Sequence, residues 1–243
     1  MHPIALYEQI KNMIRFCQIK PDTNLESLSD DLRHIASEHW NPHLNVMQYQ
    51  GDWNILSIIA PGGKNIAVPD ALGGEDFMAT PLLDLVPNIK SVLDYFKCPL
   101  RSVRLMKLKA GAKILKHRDA ELSYEHGEAR LHIPLQTNEE VRFILDDELL
   151  PMRTGECWYI NANLYHSVEN NGSTDRIHLV IDCEVNEWLS NLFSEAIFIS
   201  ERTEALDQNL QKAIIESLYL QGSETSIIMA KKMEEDLIRQ FPL

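Results

Sequence analysis

No stretch of this chain approaches the ~18 uninterrupted apolar residues of a membrane-spanning helix. Met1 to Arg15 mixes acidic and basic side chains and has no apolar segment of the kind that marks a secretory leader. These two absences predict a soluble cytoplasmic protein with no membrane partner. Basic residues are also in deficit, 23 Lys and Arg against 36 Asp and Glu, for a formal charge of −13. Binding a phosphate backbone needs a broad basic surface, so nucleic acid is not an expected partner and any anion site must be local. Cys-x-x-Cys pairs are missing as well. Cys17, Cys98, Cys157 and Cys183 lie far apart beside apolar or aromatic neighbours, which predicts reduced structural thiols. No Gly/Ser linker, repeat or low-complexity tract divides the 243 residues, of which 44% are hydrophobic. One globular domain with an appendage follows, large enough to bury a core without cross-links.

Three compositional zones can be distinguished. In the first, Leu25, Leu28, Leu32, Ile35 and Ala36 recur at helical intervals, and Trp40-Asn41-Pro42 ends the run. Trp53 to Ile59 reads as a strand, followed by a loop at Pro61-Gly62-Gly63. Pro81 and Pro87 suit the first turns of short helices, where a missing N–H costs nothing. The second zone, Arg101 to Val185, holds six short segments separated by turn residues: Ser102–Leu108, Arg130–Gln136, Val141–Leu145, Glu156–Ile160, His166–Glu169 and Arg176–Asp182. Such regular short strands predict an antiparallel sandwich or barrel. Asn171-Gly172 predicts a tight hairpin pairing the strand that ends near Glu169 with the one that starts near Arg176. The third zone reverts to helical spacing at Leu206, Leu210, Ile214 and Leu218, then Ile227, Ala230, Met233 and Leu237. The expected division is 1–185 for the barrel with its helical flank and 186–243 for a C-terminal helical appendage.

His117-Arg118-Asp119 is the first group with chemical content. On extended chain His117 and Asp119 face one side and Arg118 the other. With the later His166 they make two imidazoles and one carboxylate, the facial set that holds non-haem Fe(II) with open positions. A polar tripeptide on a loop is the competing reading, because nine histidines make chance matches easy. Two strands add to the case. Arg130 and His132 share one face of their strand, opposite Leu131, Ile133 and Leu135, and Arg176 and His178 share one face of theirs, opposite Ile177, Leu179 and Ile181. Either this polar face meets solvent, or it lines an interior where unpaired arginines are costly unless an anion is held. A dicarboxylate such as 2-oxoglutarate fits the second case, with its keto-acid end on the metal and its far carboxylate on a guanidinium.

The stretches HRDAELSYEHGEARLHIPLQTNEEVRFIL and MRTGECWYINANLYHSVENNGSTDRIHLVIDCEV, with the GDW at Gly51 and the TPLL at Thr80, resemble the aspartyl/asparaginyl β-hydroxylase family. That resemblance implies a double-stranded β-helix (jelly roll, cupin-like) fold, mainly β with flanking helices, and Fe(II), 2-oxoglutarate and O2 as cofactor and cosubstrates. Carried over residue by residue, the iron ligands fall on His117, Asp119 and His166. The distal carboxylate of 2-oxoglutarate falls to Arg176, and its other end to Arg130 and His132. Arg104 matches an arginine of the proline-hydroxylating members, which suits a substrate carboxylate; an exposed strand arginine is the plain alternative. Asp119 aligns this chain with the bacterial members, since animal members lack that carboxylate, and its presence argues against a halogenase.

The expected activity is hydroxylation of an amino acid, or of an Asp or Asn residue in a peptide, with release of succinate and CO2. The alternative is a non-catalytic cupin-like module that binds or senses a small anion. A zinc hydrolase is a weaker third reading, because it leaves the Arg-x-His strands without a purpose. Trp40, Trp53, Trp158 and Tyr159 are expected in the core, and His34, His39, His43 and His126 at the surface or at helix ends. A dimer is an open expectation.

Overall fold

Alternation along the strands separates the side chains into an outer apolar layer, an inner apolar layer and a charged cavity. The computed structural model describes residues 12–67, 75–203 and 208–240. The strands are β1 (Asn12–Ile19), β2 (Asn41–Pro42), β3 (Tyr49–Gln50), β4 (Trp53–Pro61), β5 (Phe77–Ala79), β6 (Leu100–Leu108) and β7 (Lys113–His117). They continue with β8 (Glu128–Gln136), β9 (Val141–Leu145), β10 (Glu148–Leu150), β11 (Cys157–Ile160), β12 (His166–Asn170), β13 (Arg176–Glu184) and β14 (Phe198–Thr203). One sheet runs β14-β1-β11-β8-β13-β6-β4-β2, with β5 on β4, and the other runs β10-β9-β12-β7-β3. From β6 to β13 the chain thus passes back and forth between two antiparallel sheets, with β9 and β10 a hairpin within the smaller one, which is the jelly roll, or double-stranded β-helix.

All six strands expected between Arg101 and Val185 are present, but the hairpin is not. β12 pairs with β7 and β9, whereas β13 pairs with β6 and β8 in the opposite sheet. Neither Asn171 nor Gly172 takes the positive φ of a tight hairpin turn. The side chain of Asn170 instead donates to Leu108 O at 3.0 Å and Thr174 O at 2.9 Å, fastening an arch that carries the chain from one sheet to the other. Long-range sheet pairing overrides a local turn signal here.

The outer face of the large sheet is covered by helices. Leu131, Ile133, Leu179 and Ile181 pack there with Val86, Ile89 and Val92 around α1 (Pro87–Tyr95) and with Leu189 and Phe193 of α2 (Glu187–Ser194). The spacing from Leu25 to Ile35 forms a 3-10 helix over Glu26–His34 rather than an α-helix, with Asn24 Oδ1 accepting from the N–H groups of Glu26 and Ser27. Asp31 from that helix is buried, and its carboxylate accepts from Ile89 N at 2.8 Å and Asn88 Nδ2 at 2.7 Å, so it caps α1 from outside. Thr80 caps the turn Pro81–Leu85 through Leu82 N, as the proline positions predict. The four cysteines are free and buried.

Internal packing divides the chain into Ile14–Ser200 and a second unit that contains α3 (Gln208–Gln221) and α4 (Glu224–Gln240). Residues 186–200 therefore belong with the barrel, not with the appendage expected from residue 186, because Leu189 and Phe193 complete the outer core. In the helical unit Ile214 and Leu218 of α3 pack with Ala230 and Met233 of α4, as the spacing predicts. Gly222, at φ 66°, makes the turn between them, and Ser223 Oγ accepts from Ser226 N. Leu206 lies outside the described residues, and so does the side chain of Leu210. No helix among the described residues is long and apolar enough to cross a membrane.

Candidate active site

Between the sheets, Trp53, Met106, Ile114, Phe143 and Val168 of the inner apolar layer line a cavity of about 300 Å³. Ser102 and Arg104 of β6, Arg130 and His132 of β8, and Arg176 and Asp182 of β13 line it. Arg104 is 4% exposed, His132 5%, Arg176 1% and His178 1%, so the polar face is interior and the solvent-face reading of the alternation is set aside.

His117 ends β7 and His166 begins β12, directly opposite each other in the antiparallel register. Asp119 follows in the loop after β7, where its N–H donates to Ala162 O at 2.9 Å. Ligand atoms of His117, Asp119 and His166 all lie within 4.8 Å of one another, and His117 Nε2 is 3.9 Å from Asp119 Oδ1. Each imidazole is oriented by its own backbone: His117 Nδ1 is 2.7 Å from Leu115 O, and His166 Nδ1 is 2.9 Å from Leu164 O. A carbonyl can only accept, so each Nδ1 donates and Nε2 is the nitrogen left to meet a metal. The donor set, two imidazoles and a carboxylate, fits a divalent first-row metal with open positions.

Sequence reasoning missed Asp182 and thereby misjudged the electrostatics. Arg130 does not face the cavity as a free cation. Its Nε and Nη2 donate to Asp182 Oδ1 and Oδ2 at 2.7 and 2.9 Å, and its Nη1 donates to Asp119 Oδ2. Three of its five N–H groups are thus engaged by carboxylates. Arg104 Nη2 donates to Asp182 Oδ2 at 2.7 Å. Burial would raise the pKa of Asp119 and of Asp182, but nearby positive charge, above all Arg130, outweighs it and holds both below the usual range.

Arg176 is different. It has no carboxylate partner, and burial lowers its pKa to about 9. Its Nη2 donates to His178 Nδ1 at 2.8 Å, its guanidinium lies 5.8 Å from the Phe143 ring centre, and its Nε has no partner. Both ring nitrogens of His132 and Nε2 of His178 are likewise buried without partners, in a structure described without ligands or water. Buried polar groups are nearly always satisfied, so this cluster is built for an acceptor that comes from outside the chain.

A second set of unpartnered buried atoms lines the same cavity: Arg104 Nε, Ser102 Oγ and Trp53 Nε1. Ser102 and Arg104 share a face of β6 by strand alternation. Trp53 therefore reaches the cavity, while Trp158 and Tyr159 are core, as expected. His43, expected at the surface, stacks on Trp53 with ring centres 3.7 Å apart and lines the cavity. No local signal marks it, because the chain brings it there by pairing β2 with β4, where His43 N donates to Trp53 O at 2.8 Å. Asp182 could have been found, since extending the face of Arg176 and His178 by alternation reaches it.

One measurable consequence is acid sensitivity of the metal-free protein. His166 and His43 are both lowered to about 4, each first by burial and then by neighbouring positive charge, and His132 and His178 fall well below 6.5 for the same reasons. Each takes up its proton more readily when unfolded, so stability rises with pH through this window and is lost as pH falls from about 6.5 towards 4. The slope reaches about 1.4 kcal/mol per pH unit for each fully buried histidine, and less for the half-exposed His43. Urea denaturation in chelator at pH 7.5, 6.0 and 5.0 measures it, and a flat profile would show that these histidines are solvated.

The chain is similar to several known proteins. A curated L-proline cis-4-hydroxylase of Rhizobium meliloti (strain 1021) is 33% identical over 109 residues, 44% of this chain and 39% of that protein. L-proline cis-3-hydroxylase 1 of Streptomyces sp is 29% identical over 167 residues, 65% of this chain and 56% of that protein. The matched part is thus less than two thirds of either relative. Among solved structures, an oxidoreductase of the 2OG-Fe(II) oxygenase family from Burkholderia pseudomallei aligns over 76% of this chain and 92% of its own, with a TM-score of 0.48 and 14% identity. The family model for aspartyl/asparaginyl beta-hydroxylase matches residues 22–185, a span that contains the triad, both Arg-x-His strands and Asp182. With about two thirds of its length inside that match, this chain belongs to the aspartyl/asparaginyl β-hydroxylase family.

Proposed function

We propose that this protein is an Fe(II)- and 2-oxoglutarate-dependent dioxygenase that hydroxylates a free amino acid or a similar small zwitterion. The observation that carries the reading is the presence, in one cavity, of a His-Asp-His set with backbone-oriented imidazoles and a buried guanidinium without a counter-ion. A metal alone would leave Arg176 unexplained, and an anion alone would leave the triad unexplained.

In this reading His117, Asp119 and His166 hold the iron, and Arg176 receives the distal carboxylate of 2-oxoglutarate with His132 and His178 beside it. Bound iron would supply the oxidative chemistry that turns 2-oxoglutarate and O2 into succinate, CO2 and a hydroxylated C–H. The chain's own work is placement and exclusion of water. Phe143 lies between the two poles, facing the His132 ring at 5.4 Å and stacked parallel to His166 at 6.3 Å, which keeps the cosubstrate's path dry. Arg104, Ser102 and Trp53 offer their unpartnered donors to a substrate carboxylate. A cavity of about 300 Å³ suits a small molecule, and the two curated relatives are named for proline hydroxylation.

The test is succinate formation under Fe(II), 2-oxoglutarate and O2 across a panel of L-proline, other free amino acids and an aspartyl peptide, with mass analysis for an added oxygen. The expected result is substrate-stimulated succinate with at least one free amino acid. Stimulation by the peptide alone would move the substrate to a protein side chain. Silence with metal-loaded protein across the whole panel would sink the enzyme reading in favour of a ligand-binding module.

A further inference from the structure

Asp182 touches neither the metal position nor the pole for 2-oxoglutarate, yet it is the centre of the charge network. On the large sheet the register sets Ser102, Asp182 and Arg130 side by side on β6, β13 and β8. From there the carboxylate reaches in two directions. Its two oxygens take Nε and Nη2 of Arg130 at 2.7 and 2.9 Å, a bidentate grip, and Oδ2 also takes Nη2 of Arg104 at 2.7 Å. Arg130 then holds Oδ2 of Asp119 with its remaining terminal nitrogen. The result is an alternating ladder, Asp119, Arg130, Asp182, Arg104, that starts at a metal ligand and ends at the proposed substrate anchor. The side chains of Arg104, Arg130 and Asp182 are 5%, 13% and 13% exposed, so little solvent screens them.

Two physical consequences follow. A carboxylate that gives one oxygen to a metal can rotate about its χ2 unless the other oxygen is held. Arg130 holds Oδ2, which leaves Oδ1 as the oxygen on the side of His117. Arg130 can serve as that clamp only while its own plane is fixed, and Asp182 fixes it through the bidentate pair. Without the negative charge of Asp182, moreover, Arg104 and Arg130 become adjacent buried cations that repel one another.

We propose that Asp182 is a positioning residue: by gripping Arg130 and Arg104 together, it sets the rotamer in which Asp119 offers Oδ1 to the metal and the place where Arg104 receives a substrate carboxylate. The proposal rests on the hydroxylase reading for its substrate arm, but its metal arm stands without turnover.

The experiment titrates the full chain with Mn(II), following the free ion by electron paramagnetic resonance, with no cosubstrate or oxygen chemistry involved. Asp182→Asn should weaken Mn(II) binding by roughly 10- to 100-fold, the range for groups that orient a metal ligand, although it removes no ligand. Asp182→Glu, which keeps the charge, should restore part of that loss. In turnover, hydroxylated product per succinate should fall in Asp182→Asn as substrate and metal lose their common reference. A folded Asp182→Asn protein with wild-type Mn(II) affinity would overturn the proposal. Should Asp182→Asn fail to fold, Arg104→Met is compared with the charge-balanced pair Arg104→Met and Asp182→Asn. The single variant should keep Mn(II) affinity and the pair should lose it, while equal affinities would overturn the proposal. Wild-type protein that binds Mn(II) but forms no succinate with any substrate would refute the hydroxylase reading, and the Mn(II) comparison would still decide the role of Asp182.

Discussion

Arg176→Met should make the metal-free protein more stable and at the same time strip it of its response to 2-oxoglutarate. The guanidinium is 1% exposed, and its contacts are one neutral histidine nitrogen and the Phe143 ring. Burial lowers its pKa to about 9 against an ordinary value of 12.5. At pH 7 it remains protonated in both folded and unfolded states, so the shift measures the cost of keeping that charge inside, on the order of 5 kcal/mol. An apolar side chain of similar volume removes the cost, and replacements of buried charge by packed apolar groups are worth about 1–4 kcal/mol. With metal present, 2-oxoglutarate at a hundred times its Kd should stabilise the wild type by about 2.7 kcal/mol. In the variant the charge-assisted contact proposed for the distal carboxylate is gone, and a loss of about 3–4 kcal/mol in binding corresponds to a several-hundred-fold weaker Kd. Urea denaturation of the apo protein and cosubstrate titration by calorimetry check the two halves. Metal affinity should stay near wild type, because Arg176 belongs to the other pole. An apo protein destabilised by the change, or metal and cosubstrate lost in equal measure, would show that the role of Arg176 is misplaced.

His166→Ala should abolish the metal response outright. The change removes one of the three proposed ligand groups and leaves the remaining two with no substitute, since His117, Asp119 and His166 are the one such cluster found among the described residues. A fall in Fe(II) or Mn(II) affinity of more than about 10³-fold is expected, and with it all succinate formation. The cost to the apo fold should be small, about 1 kcal/mol, because the imidazole already borders a cavity and little close packing is lost. Its contacts include the His117 ring at 4.4 Å, a parallel stack on Phe143 at 6.3 Å and the bond from Nδ1 to Leu164 O. Thermal melts with and without Mn(II) separate the two effects: the wild type should gain stability with metal and the variant should not. A variant that still melts higher with metal would place the ion elsewhere.

The two Arg-x-His strands were legible because strand alternation is a local property, and Asp119 was legible by its spacing from His117 although it lies in the loop after β7. A period of two assigns side chains to faces whatever the strand pairs with, and the apolar face of Leu131, Ile133, Leu179 and Ile181 left the other face for chemistry. The proline-marked helix starts were legible for the same reason, since proline fixes its own φ and lacks its own N–H. The hairpin at Asn171-Gly172 failed because a turn preference is worth little against four strand pairings, β12 on β7 and β9 and β13 on β6 and β8. The boundary at 185 failed because Leu189 and Phe193 carry helical spacing whether they cap a barrel or join an appendage.

By itself, then, the sequence indicated which residue types could hold a metal and an anion and which of them share a strand face, while the burial of that face was decided by the tertiary structure. Tertiary structure alone decided how their charges are shared. Arg130, Arg104 and Arg176 look alike as strand arginines, but Asp182 neutralises the first two and none of the third, because the sheet register sets Asp182 between β6 and β8 and leaves Arg176 against Phe143 and His178. Coulomb interactions inside a low-dielectric cavity depend on separations of a few ångströms, and those are fixed only when strands far apart in sequence are laid side by side.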